Sequence, residues 1–211
     1  MRVIRWRVDH LVNILCACIN ARKFESALLG RAGVYAPVRS MAMLDEGIIA
    51  EVPARPRYKL AQARADALTV RYSTPPIPVL EIAEQTGVNV VFSDFGKHSD
   101  TVAGFCDFEA RRLYVNAKDI RTRQLFTMAH ELGHWVMHRE VFLRDPSRYP
   151  VLPRFQSVEA SNIFEREANC FAANLLVPKR LLDPVRNSPV STLAEVFGVS
   201  RAMMENRLKN G

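Results

Sequence analysis

The sequence predicts an α+β fold in which one buried helix packs on a short, mostly antiparallel sheet and a helical hairpin closes the chain. Strand-like segments rich in Val, Phe and Tyr lie between residues 88 and 116, ahead of that helix. The helix itself, residues 126–138, is apolar on both sides of its histidines. Helical patterns return at 162–178 and near the C-terminus, so strands are followed by helices rather than alternating with them.

The length and composition are those of a globular protein. With 211 residues, 48% hydrophobic and 24% charged, the chain is one domain or one domain with a substantial extension. The net charge of +7 is unevenly spread: residues 1–60 carry ten Lys or Arg and five acidic residues, whereas residues 61–211 carry nineteen and seventeen. The basic character therefore belongs mainly to the N-terminal part.

The cysteines indicate a reducing compartment. Their spacing fits neither a disulfide framework nor a four-thiolate zinc site, and we interpret all of them as small core or surface residues: Cys16, Cys18, Cys106 and Cys170. We expect the protein in the cytoplasm.

Residues 1–58 are interpreted as a basic N-terminal extension of unknown role. The apolar run Leu11–Ile19 is too short to span a bilayer. An amphipathic helix is favoured over a signal peptide, and translation from Met41 or Met43 is a third alternative.

Several elements are expected between this extension and the C-terminus. A Pro-containing linker at 51–58 is followed by the predicted helices 59–72 and 79–86, the strand 88–92, and a hairpin of 101–108 and 112–116. Residues 139–160, rich in Arg and Pro, predict a long surface loop, and residues 162–178 predict a helix that ends near Pro178. An exposed edge strand beside the central helix could pair with an extended peptide.

The central helix carries the motif His130-Glu131-Leu132-Gly133-His134. Residues four apart share a helix face, so both imidazoles can bind one zinc ion, while Glu131 can accept a proton from a zinc-bound water. This is the chemistry of a metal-dependent peptidase. Gly133 costs about 1 kcal/mol relative to Ala inside a helix, which suggests that another element packs closely there. The alternative is a core helix with hydrogen-bonded histidines, which explains neither the spacing nor the glycine.

A third zinc ligand is expected from the helix at 162–178, which offers Glu165 and Glu167. Apolar residues flank Glu167 at three- and four-residue spacing, whereas the surroundings of Glu165 are more polar. A carboxylate on a buried face needs a compensating cation, and zinc would supply one. We therefore favour Glu167 as the ligand and keep Glu165 as the alternative.

His138 continues the row of histidines but lies about 12 Å along the helix from His130, too far to share an ion. We interpret it as a structural residue or as a hydrogen-bond partner at the helix end. Tyr114, Tyr149 and His138 are the candidates for stabilising an oxyanion.

The segment Thr127–His138, with the run from Glu165 to Pro178, resembles the ImmA/IrrE family of metallo-endopeptidases, and Leu113–Asn116 resembles the strand before that family's metal helix. The resemblance covers about residues 59–183. It implies a small zincin-like fold and a cytoplasmic zinc protease, with His130 and His134 as ligands and Glu131 as the catalytic residue. It also implies genes on mobile elements, a role in transcription regulation, and helix-turn-helix repressors as substrates.

The remaining residues, 186–211, predict a helix-turn-helix-like tail after a peptidase domain at 59–185. Thr192 to Glu195 form a capping-box pattern, Gly198 suits the turn, and Ser200 could cap the second helix. A packing or substrate-docking role is favoured over DNA binding. The rival hypothesis for the whole protein is a regulatory module that binds DNA or a repressor and uses the metal structurally.

Overall fold

A computed structural model describes residues 53–144, 152–155 and 163–210. The chain divides into two compact units, Met1–Glu51 and Val52–Gly211. The described residues all belong to the second unit. The expectations for residues 1–50, including an amphipathic helix or signal peptide, lie outside them. Within the described part of the chain, no helix has both the length and the apolar character needed to cross a bilayer.

The fold is α+β, as the sequence predicts. Its elements in chain order are α1 (Tyr58–Thr69), α2 (Val79–Gln85), β1 (Asn89–Ser93), a 3-10 turn (Gly96–His98), β2 (Val102–Asp107), β3 (Arg112–Asn116), α3 (Arg121–Arg144), β4 (Leu152–Phe155), α4 (Ile163–Leu176), α5 (Lys179–Leu182), a second 3-10 turn (Asp183–Val185), α6 (Val190–Phe197) and α7 (Arg201–Asn210).

The four strands form one mixed sheet in the order β1-β3-β2-β4. β2 pairs antiparallel with both β3 and β4, whereas β1 runs parallel to β3. The predicted hairpin is therefore present, with Gly104 opposite Val115 and Cys106 opposite Leu113. The sheet is mostly antiparallel, as predicted.

The segment 139–160 corrects the prediction of a continuous surface loop. Helix α3 extends to Arg144, and Leu152–Phe155 form the edge strand β4. Pro153 lies opposite Phe105 of β2, and an edge strand tolerates a residue that cannot donate a backbone hydrogen bond. The two stretches that flank β4, residues 145–151 and 156–162, lie outside the described residues.

Helix α3 packs against β2 and β3 and also against α4. Leu113 and Val115 of β3 belong to the core that includes Met128, Ala129 and Leu132 of α3. The same core continues into the C-terminal helices through Leu193, Phe197, Val199 and Met204. The central helix is thus enclosed by neighbours, and its histidines are held in a fixed environment.

The C-terminal tail forms two helices joined through Gly198, which has a φ of 69°. Ser200 caps α7, because its hydroxyl accepts a hydrogen bond from the backbone N–H of Met203 at 3.2 Å. The predicted capping box at Thr192 is wrong, since α6 begins two residues earlier, after Pro189, and has no side-chain cap.

Candidate metal centre

The two histidines of α3 meet a carboxylate of α4 at one point. His130 and His134 are four residues apart and almost completely buried, and their Nε2 atoms are 3.0 Å from each other. Glu165 places Oε2 3.1 Å from Nε2 of His130 and Oε1 3.1 Å from Nε2 of His134. No other group of three His, Cys, Asp or Glu side chains in the described residues is as compact.

These donor atoms suit a zinc ion. Two imidazoles and one carboxylate form the donor set of a catalytic zinc site with an open fourth position. Donors bound tetrahedrally at 2.0–2.1 Å are about 3.3 Å apart, close to the separations of 3.0–3.1 Å found here. Burial would raise the pKa of Glu165, but hydrogen bonding to His130 and His134 outweighs burial and lowers it far below its usual range. The carboxylate is therefore ionised and able to bind a cation.

Asn169 fixes the orientation of the first imidazole. Its Oδ1 lies 3.0 Å from Nδ1 of His130, and an amide oxygen can only accept a hydrogen bond. Nδ1 of His130 therefore carries a proton, and a metal ion bound by this imidazole would take the lone pair of Nε2. Since Glu165 and Asn169 are one turn apart, α4 supplies both the third donor and this orienting amide.

The second imidazole is oriented through a chain of hydrogen bonds. Nδ1 of His134 lies 3.1 Å from Nδ1 of His138, whose Nε2 lies 2.9 Å from Oε2 of Glu167. If Nε2 of His134 binds metal, its Nδ1 donates to His138, and His138 in turn donates to the carboxylate. Burial lowers the pKa of His138 to about 4, so it is neutral at pH 7, as this order of donors requires.

Arg57 neutralises the far end of that chain. Its backbone N–H donates to Oε1 of Glu167 at 2.6 Å, and its guanidinium donates to both carboxylate oxygens at 2.9 Å. Burial opposes ionisation of Glu167, but hydrogen bonds from His138 and Arg57 outweigh it and hold the pKa of Glu167 at about 2. The buried carboxylate is thus compensated by a cation from the residue that precedes α1.

This arrangement does not support the preference for Glu167 as the third ligand. Glu167 is fully buried, as its apolar neighbours predicted, but Arg57 and His138 compensate it instead of a metal. Glu165, the alternative, is the carboxylate that the structure brings to both imidazoles. Residues two apart on a helix point about 200° from each other, so only one of them can face the histidines. His138 is a hydrogen-bond partner of His134, which is one of the two roles expected for it from the sequence.

Glu131 is also completely buried on α3. Its negative charge acts on Cys106 of β2. Burial is the main cause of the raised pKa of that thiol, and the charge of Glu131 is the second. The carboxylate is therefore within electrostatic range of β2, on the helix that also carries the two histidines. This is a suitable position for a proton acceptor next to a metal-bound water.

Gly133 permits the close contact that its position suggested. A Cβ atom there would lie 3.0 Å from Cδ1 of Phe171 and 3.2 Å from Cα of Ala168. The α4 backbone thus packs directly against α3 between the two histidines. This contact sets the distance at which Glu165 meets their imidazoles.

The described residues give no support to the candidates for stabilising an oxyanion. His138 is occupied by His134 and Glu167. Tyr114 stacks on Phe105 with ring centroids 4.6 Å apart, and alternation along β3 directs it away from the face that Leu113 and Val115 turn toward α3. Tyr149 lies outside the described residues.

Three comparisons place this geometry among known proteins. A model of the Peptidase_M78 family, described as the IrrE N-terminal-like domain, matches residues 83–209. "Uncharacterized immunity region protein 2" of Bacillus phage phi105 is 26% identical over 136 residues, which are 62% of this chain and 77% of that protein.

A solved structure, a Mycobacterium tuberculosis transcriptional regulator, shares the fold with a TM-score of 0.51 and 19% identity. The match covers 71% of this chain and 46% of the regulator, so the chain spans about half of that protein's length. The family match covers the helices that carry His130, His134 and Glu165, together with the sheet on which α3 packs. The chain therefore belongs to the IrrE N-terminal-like family, which confirms the resemblance found in its sequence motifs.

Proposed function

We propose that this protein is a zinc-dependent metallo-endopeptidase. The observation that carries the proposal is the convergence of His130, His134 and Glu165, with Glu131 buried on the same helix. A zinc ion held by His130, His134 and Glu165 would polarise the scissile carbonyl and would lower the pKa of a bound water toward about 7. Glu131 accepts the proton of the attacking water and passes it to the leaving amine.

The other residues hold these groups in position. Asn169 keeps the proton of His130 on Nδ1, and His138 does the same for His134. Burial keeps His138 neutral, and Glu167, itself held by Arg57, fixes the direction of its ring. The chain thereby presents two lone pairs and one carboxylate without rearranging buried side chains.

We propose a cytoplasmic transcriptional repressor of the helix-turn-helix type as the substrate. The family resemblance supports a regulatory substrate, and the similar phage protein is named after an immunity region. Direct DNA binding by α7 is not proposed, because this helix turns Met204 and Arg207 into the protein interior.

The test uses the zinc-loaded protein and a repressor encoded beside its gene. Glu131→Gln should keep the zinc stoichiometry and lower cleavage by about 10³-fold, because it removes the proton acceptor and no metal donor. Glu140→Gln, an exposed position on the same helix, is the matched control and should cleave normally. Cleavage retained by Glu131→Gln would exclude the mechanism. A DNA complex with steep salt dependence, without cleavage by the wild type, would favour the regulatory module.

A further inference from the structure

A large groove adjoins the candidate metal centre. Its volume is about 1240 Å³, and α1, the start of α3, α4 and α7 form its walls. One end reaches Phe126, whose ring centroid is 6.4 Å from that of His130, and Asn169, which is hydrogen-bonded to His130. The other end reaches Arg207 of α7. We call this cavity the basic groove.

The lining of the basic groove is cationic. It includes five basic side chains and no Asp or Glu: Lys59, Arg123, Arg166, Lys179 and Arg207. Arg123 pairs with Asp119, and Lys179 pairs with Asp183. The other three form no ion pair with any described residue, so the lining carries an excess of positive charge.

Arg207 is the most unusual of these cations, because it is only 6% exposed. Its guanidinium donates to the carbonyl of Val177 at 3.0 Å and to Oδ1 of Asn174 at 2.9 Å, and both acceptors are neutral. Burial lowers the pKa of Arg207. Asp66 and Asp183 favour its charge without forming an ion pair with it. A buried cation without a direct ion pair marks a position where an anion would be stabilised.

The groove also has apolar contact surface. Phe126, Ala173 and Met203 line it between the charged side chains. Apolar surface of this kind suits peptide side chains, whereas a nucleic-acid backbone would favour a continuous polar surface. The combination favours a peptide that carries acidic residues.

We propose that the basic groove binds an acidic segment of the protein substrate. The inference deepens the proposed peptidase function and rests on it.

The test measures peptide binding by the full-length, zinc-loaded Glu131→Gln variant. The probes are short fluorescein-labelled peptides that are identical except for Glu, Gln or Lys at alternating positions, and the readout is fluorescence anisotropy. We expect the Glu peptide to bind about tenfold more tightly than the Gln peptide, and the Lys peptide to bind least tightly. Raising the salt concentration should reduce the difference.

Charge reversals localise the binding. Lys59→Glu and Arg166→Glu, each added to Glu131→Gln, should remove most of the preference for the Glu peptide. Lys97→Glu, an exposed cation outside the groove, is the matched control and should retain it. Arg166 adjoins Glu165 in sequence, so zinc content is measured for each variant, and Lys59 on α1 provides an independent variant.

Equal affinity for the Glu and Gln peptides would overturn the groove assignment, and so would equal losses in Lys59→Glu and Lys97→Glu. Duplex DNA that displaces the Glu peptide and loses affinity in Lys59→Glu would assign the groove to nucleic acid instead. Cleavage plays no part in this measurement. A wild-type protein that cut no substrate would therefore overturn the peptidase proposal, whereas a lost Glu preference would overturn the groove alone.

Discussion

Two glutamates of α4 have different environments although only one residue separates them. Glu165 contacts both imidazoles, and Glu167 contacts His138 and Arg57. Their carboxylates leave the helix in nearly opposite directions. Loss of Glu165 should therefore weaken zinc binding directly. Loss of Glu167 should weaken it indirectly, because His134 would no longer be oriented through His138.

Glutamine substitutions separate these roles. Glu165→Gln should lower zinc affinity by more than about 100-fold because it removes a charged donor, while Glu167→Gln should lower it by about 10- to 100-fold because it only releases His138. Competition with a chromogenic chelator measures both affinities. A larger loss for Glu167→Gln than for Glu165→Gln would restore Glu167 as the ligand.

Cys106 should resist alkylation in the native protein. The side chain is fully buried, and burial together with the nearby charge of Glu131 raises the pKa of its thiol, so little reactive thiolate forms at pH 8. Peptide mapping after iodoacetamide treatment should find Cys106 unmodified until denaturant is added. Rapid labelling without denaturant would show that this part of β2 opens to solvent.

The sequence predicted that the two histidines of α3 lie together, but it favoured a carboxylate that the structure places elsewhere. A spacing of four residues is sufficient to place His130 and His134 together, because both lie on one helix. The apolar surroundings of Glu167 correctly indicated burial. The partners that compensate it, Arg57 and His138, come from other elements, and a pattern within one helix does not contain that information.

At the scale of elements, the local patterns predicted α1, α2, the hairpin of β2 and β3, α3 and α4. Each has a period or a turn signal within its own residues, such as Gly87 after α2. Strand β4 was missed because Arg and Pro dominate its surroundings. Its conformation depends on backbone hydrogen bonds to β2, which lies more than forty residues earlier.

The contact between α3 and α4 should tolerate little additional volume at Gly133. Ala would favour the helix by about 1 kcal/mol, but its Cβ would meet Cα of Ala168 at 3.2 Å, and overpacking against backbone costs about 1–3 kcal/mol. We expect Gly133→Ala to lower the free energy of unfolding by about 1 kcal/mol. Urea denaturation measures this change, with the exposed Glu140→Ala as control. Greater stability in Gly133→Ala would show that the helices can separate slightly.

At the scale of the whole molecule, one core joins the sheet to the C-terminal helices. Phe197 and Met204 are almost fully buried in it, together with Leu113 and Leu132. Helices α6 and α7 therefore contribute to the stability of the domain, in agreement with the packing role favoured from the sequence. The packing of α7 on this core also positions Arg207 in the wall of the basic groove.

Zinc should stabilise the folded protein. A ligand at about 100 times its dissociation constant adds about 2.7 kcal/mol, which corresponds to a rise in Tm of about 5–10 °C for a domain of this size. Differential scanning fluorimetry of chelator-treated protein with and without added zinc measures the rise. The Glu165→Gln variant should show a much smaller one. Identical melting curves for the wild type would exclude metal binding to the folded chain.

The position of α7 beside the donor helices has a consequence for how this protein could acquire new targets. The candidate metal donors belong to α3 and α4, whereas one wall of the basic groove comes from α7, which supplies none of these donors. Under the proposed function, exchanges on the open side of α7 would redirect the enzyme to another protein while its hydrolytic machinery stayed intact. Relatives that cut different targets would then differ most in the residues that correspond to α7.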